Sequence, residues 1–131
     1  MTEAEARIIA EPVMQGIVNC MARGDYDKIP EYAAFSEGIT LAVFQEVAEG
    51  YLEDNGFPHY DAYGAENLFQ PQYDKSLYQQ LNVYIYNNGK GFSAEYDLTT
   101  DGELNDLTLM VEFLFDENGI AKPFIDDLHV L

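Results

Sequence analysis

Residues 105–119 read NDLTLMVEFLFDENG. Leu107, Leu109, Val111, Phe113 and Phe115 occupy every second position. Side chains along an extended chain point alternately to opposite faces, so this spacing predicts a strand with one continuous apolar face. The closing Asn118-Gly119 tolerates the positive φ of a hairpin turn and predicts a reversal there.

The same period extends to both sides. Leu81, Val83 and Ile85 share one face, as do Phe92, Ala94, Tyr96 and Leu98, and the separators NNGKG and TTDGEL carry further turn signals. Together with the terminal FIDDLHVL, residues 124–131, these segments predict a four-stranded antiparallel meander over residues 77–131. In the terminal strand Phe124, Asp126, Leu128 and Val130 alternate with Ile125, Asp127, His129 and Leu131. A regular strand sets Asp127 and His129 on one face about 7 Å apart. There a carboxylate can orient an imidazole for acid–base work, which makes the two the candidate catalytic residues. Asp126 then falls on the apolar face. Either it is a buried acid that needs a partner, or a bulge at 126 and 127 resets the register. Asp126, Tyr84, Tyr86 and Tyr96 are the candidate pocket residues.

Residues 1–56 read as helical. Thr2 with Glu5 forms a capping box, and Ile9, Val13, Ile17 and Met21, widened by Ile8 and Val18, form the expected core stripe. Pro12 predicts a kink or restart near Glu11. Gly24 ends the helix, and Asp25 caps a short second one limited by Pro30. Ser36 is the expected cap of a third, in which Ile39, Val43, Val47 and Tyr51 form one apolar row and Phe44, Ala48 and Leu52 another, closed by Asn55-Gly56. Between the two halves, residues 57–76 carry Phe57, Tyr60, Tyr63, Phe69 and Tyr73 among glycines and prolines. So long a connection should contain a short strand near NLFQPQY or act as a binding loop, and these five aromatics are the candidate partner-binding residues.

The chain of 131 residues is the size of one domain, and 47% apolar and 14% aromatic residues exclude a disordered polymer. Six Lys and Arg against 24 Asp and Glu give a net charge of −18, spread along the whole chain. Such a field repels nucleic acid and anionic membranes and steers a basic protein toward this one. Cys20 stands alone in an apolar helical stretch, which excludes an intrachain disulfide and fits a reducing compartment. The opening MTEAEARIIA has neither the basic nor the long apolar region of a signal peptide, and the expectation is a cytoplasmic protein.

Other motifs fall short of a site. DLTTDGELND, residues 97–106, lacks the ligand spacing of a calcium loop and reads as a turn. The GKG at residues 89–91 has no phosphate-loop frame. His59 has no second His or Cys at ligand spacing, so no metal and no cofactor is expected.

The helix-corner-helix MARGDYDKI, a further amphipathic helix and a long-stranded antiparallel sheet resemble the NTF2-like (cystatin-like α+β) superfamily. That resemblance implies helices packed on one face of a curved sheet of four or five antiparallel strands, forming a cone with an open pocket. The ending FIDDLHVL is also similar to an uncharacterised bacterial domain family that closes on Ile-Asp-Asp-[Ile/Leu]-His-Val-Leu. The superfamily includes pocket enzymes, transport and assembly modules, and immunity proteins against toxins, so the fold leaves the activity open.

The leading expectation is a non-enzymatic, acidic bacterial module that binds a basic protein partner in an immunity-type or regulatory role. The alternatives are an NTF2-like pocket enzyme or small-ligand binder using Asp127 and His129, and a homodimer formed through the open sheet face.

Overall fold

Strand β4, Glu103–Phe115, is the axis of the fold, and its alternation is the one read from the sequence: Leu107, Leu109, Val111 and Phe113 are all fully buried. The computed structural model describes residues 1–64 and 79–130. In chain order the elements are helix α1 (Glu3–Arg23), a 3-10 helix (Tyr26–Glu31), strand β1 (Ala34–Phe35), helix α2 (Leu41–Asn55), and strands β2 (Leu81–Ile85), β3 (Gly91–Thr100), β4 and β5 (Ala121–Val130). The sheet order is β1-β5-β4-β3-β2. Strands β2 to β5 form the expected antiparallel meander, and the class is α+β.

The fifth strand comes from elsewhere than the loop. Ala34 and Phe35 run parallel to β5 opposite Phe124 and Ile125, so the sheet is mixed at that edge. The strand expected near NLFQPQY lies outside the described residues. The β3–β4 turn has both Asp101 (φ 49°) and Gly102 (φ 75°) in the left-handed region, the pairing that matches strand twist in a two-residue hairpin. This is the turn read in DLTTDGELND.

The helices correct the sequence reading in several places, among them the 3-10 helix, where the Asp25 side chain makes no cap and pairs with Arg23 instead. First, α1 runs unbroken through Pro12. Pro12 and Ile8, four residues back, both lie on the exposed side, where water can hydrate the carbonyl that proline leaves without a donor. Second, its buried face is Ala6, Ala10, Met14, Ile17, Val18 and Met21, so the stripe is rotated from the expected one: Ile9 and Val13 are marginal and Ile8 is 72% exposed. The helix comes close to a neighbour at Gly16, where a Cβ would collide with the Tyr32 ring. Third, α2 is capped by Thr40, whose Oγ1 accepts from the Val43 N–H, and not by Ser36. Gly38 at φ 88° cannot belong to a helix, and the Ser36 N–H instead donates to the Ile125 carbonyl beside β1. Of the two apolar rows on α2, Phe44 and Ala48 enter the core, whereas Val43 and Val47 remain 49% and 42% exposed.

In the terminal strand the bulge resolves the puzzle of two adjacent acids. Met110 pairs with Asp127 and Val111 with Ile125, which leaves Asp126 without a partner on β4. The extra residue turns Ile125 and Leu128, three apart in sequence, to the same buried face and leaves both aspartates exposed.

Deleting Asp126 should therefore be tolerated, because Ile125 and Leu128 keep their faces with one outward residue between them; a loss below about 2 kcal/mol is expected. Deleting Glu112 from β4 should unfold the domain by sending Phe113 and Phe115 to the wrong face. Thermal melts by circular dichroism compare the two, and equal melting temperatures would show the bulge to be misplaced.

Candidate functional site

The two faces of the sheet separate residues that the sequence left together. Inward, Tyr96 is 2% exposed, stacks on Tyr63 with ring centroids 4.8 Å apart, and its hydroxyl accepts the Gly64 N–H. It is a core residue. Outward stand Tyr84, in the row of Ser93 and Glu112, and in separate rows farther along the sheet Asp127, opposite Met110, and His129, opposite Thr108. The Tyr86 hydroxyl donates to Glu112 at 2.7 Å, and burial, with that carboxylate beside it, pushes its pKa up to about 12.

Asp127 and His129 do meet. Nδ1 of the imidazole lies 3.2 Å from Oδ2 of the carboxylate, an ion-pair distance, but it makes no aligned hydrogen bond. The other carboxylate oxygen, Oδ1, accepts the N–H of Leu128 at 2.8 Å. Both side chains are partly exposed, at 53% and 35%. Asp126 sits beside them on the bulge.

The loop aromatics are partly structural. Tyr60 is 1% exposed and donates its hydroxyl to the Ala48 carbonyl of α2, while the Tyr63 N–H donates to Asn19 of α1. Phe57 packs at 6.3 Å against Tyr51. Asp61 accepts from the N–H groups of Asp101 and Gly102 and so pins the β3–β4 turn. Phe69 and Tyr73 lie outside the described residues. Cys20 is buried, and burial pushes its thiol pKa up, as suits a packing residue. Among the described residues, no group of three His, Cys, Asp or Glu could hold a metal ion, and no helix is long and apolar enough to cross a membrane.

A site that the sequence reading missed lies between α2 and the paired Leu107 of β4 and Val130 of β5. Val43, Val47, Gly50, Leu107 and Val130 line an open groove of about 510 Å³, with Glu46 and Asp54 at its rim. It adjoins an apolar recess of about 80 Å³ formed by Ile39, Phe44, Ile125 and Leu128 together with the same two valines. At one end the Tyr51 hydroxyl donates to Asp106. Burial, reinforced by that carboxylate, raises its pKa to about 12. The signal was present in α2, where two apolar rows compete for one core-facing stripe and only one can enter.

The fold and these surfaces define an α+β domain with an acidic exterior. The chain belongs to the family described as Domain of unknown function (DUF7668), whose model matches residues 18–131 and so spans the 3-10 corner, α2 and the whole sheet. No curated protein and no solved structure matches the chain.

The tyrosines give this domain an alkaline limit. Burial raises the pKa of Tyr26, Tyr51 and Tyr86 to about 12, and that of Tyr60 and Tyr63 further. In the unfolded chain a phenol ionises near 10, so above that pH the unfolded state releases protons that the folded state keeps. Stability from these groups is complete below about pH 10 and falls as pH rises toward 12. Ultraviolet titration should show exposed tyrosines ionising first and the buried ones in a steep step that coincides with loss of the circular dichroism signal. Smooth ionisation of every tyrosine near pH 10 in a folded protein would contradict the packing described.

Proposed function

We propose that this chain is a non-enzymatic binding module whose acidic surface engages a basic protein partner, in a role of the immunity or regulatory kind. The observation that carries the reading is the charge: 24 acids against 6 bases. Three of the bases are already spent within the fold, Arg7 on Glu3, Arg23 on Asp25 and Lys122 on Asp116. The remaining field favours a cationic surface and disfavours nucleic acid and anionic lipid. Helices on one face of an antiparallel meander are compatible with an NTF2-like domain, and a lone buried thiol suits a reducing, cytoplasmic setting.

A second reading, acid–base chemistry on a small ligand, draws on the 3.2 Å contact between Asp127 and His129. It has less support, because the candidate tyrosines divide between the two faces and His129 does not line the groove.

The test is capture of the natural partner by cross-linking in cells, followed by association kinetics of the purified pair. The partner should be basic, and its on-rate should fall by about tenfold or more between low and high ionic strength, because steering acts over a Debye length. A neutral or acidic partner whose association ignores salt would refute the reading.

A further inference from the structure

The valines at positions 43 and 47 present their side chains to solvent one turn apart on α2, directly beside the paired Leu107 of β4 and Val130 of β5. Val43, Val47 and Val130 thus form one apolar surface over the buried Leu107 that the described residues leave open. From Val43 to Asp54 the groove runs about 16 Å at roughly 1.5 Å per residue, the length of three helical turns. Its lining holds Glu46, Asp54 and, in the adjoining recess, Asp127, and no Lys or Arg.

We infer that this groove is the docking site for the apolar face of a basic amphipathic helix presented by another protein. The inference rests on the reading of a basic partner and says where and how that partner binds. Charge selects the occupant: an apolar strip flanked by Lys or Arg complements a floor of valine and leucine with a carboxylate rim, whereas a second copy of this chain would bring its own charge of −18. The backbone selects a helix over a strand. β1 covers β5 only at Phe124 and Ile125, so among the described residues the edge beyond them lacks a neighbouring strand. The Leu128 N–H on that stretch is already taken by Asp127 Oδ1 at 2.8 Å, which removes a donor that strand addition would need. Recognition must then come from side chains, and an incoming helix offers apolar residues at the i, i+4, i+7 spacing that matches α2 across the groove.

The probe is a synthetic lysine-rich helix with leucines at i, i+4, i+7 and i+11, set against a scrambled peptide of the same composition. Binding to the intact chain is followed by calorimetry and by amide resonances. The patterned peptide should bind at least about tenfold more tightly than the scrambled one and shift resonances around Val43, Val47, Leu107 and Val130. Val47→Lys, at an exposed position, should weaken it by about tenfold. Glu117→Lys, a larger charge change at the distant β4–β5 turn, should weaken it by less than about threefold. If Val47→Lys fails to melt like the parent, Val43→Lys replaces it. Equal binding of both peptides, or equal weakening by both substitutions, would reduce the effect to bulk charge and overturn the site. So would a parent dimer in sedimentation that Val47→Lys dissociates, because a second copy would then be the occupant. A natural basic partner that binds with salt dependence yet ignores Val47→Lys would overturn this inference while leaving the proposed function standing.

Discussion

The apolar face of β4 imposes the constraint on which the rest of the structure depends. Leu107, Leu109, Val111 and Phe113 must be matched by inward side chains on both neighbouring strands, since any polar group facing them would be buried without water. On the β3 side regular alternation suffices for Leu109, Val111 and Phe113, with Ala94 opposite Val111 and Phe92 opposite Phe113, their rings stacked at 4.7 Å, and the register shifts only beyond them, between Asp97 and Thr99. On the β5 side it does not. Ile125 and Leu128 are separated by two aspartates, an odd interval that a regular strand cannot place on one face. One unpaired residue solves this, and the bulge at Asp126 follows from the core's demand.

Consequences pass from packing to surface chemistry. With the register reset, Asp126 and Asp127 both turn outward, Asp127 meets His129 and also caps the Leu128 amide, and Leu128 and Val130 come to lie beside α2. A carboxylate on a strand edge does two things there: it adds to the negative field and it removes a donor from a segment that would otherwise invite another strand. The same bulge thus shapes the electrostatics of the outer face and the apolar groove at the sheet's end.

Much of this was legible in the sequence, and the rest was hidden for identifiable reasons. The sheet could be read because period-two alternation is a direct imprint of one buried face, as in residues 107–115 and 92–98. The bulge could be named as one of two alternatives, because Asp126 conflicts with a regular strand, but choosing between them needed the partner residues on β4. Helix faces were harder. In α1 the expected Ile17, Val18 and Met21 are buried, but Ala6, Ala10, Met14 and Gly16 are buried too and leave a weak hydropathy signal, while the more hydrophobic Ile8 faces solvent. In α2 the row through Val43 and Val47 looked like core and is groove. Strand β1 has two residues and no period to read. Ser36 and Thr40 are both competent caps, and only the left-handed backbone at Gly38 decides between them. The candidate pair Asp127 and His129 was legible from spacing alone, whereas the assembly of a groove from residues 43, 47, 107 and 130 is tertiary and has no local signature.

The register of β5 carries both the fold and the groove, and methyl nuclear Overhauser effects in the uniformly labelled chain measure it most directly. The account predicts contacts from Leu109 to Leu128, from Val111 to Ile125, and from Val130 to Leu107 and to the methyls of Val43 and Val47. A Leu128 that contacts Met110 in place of Leu109, or a Val130 with no contact to α2, would contradict it.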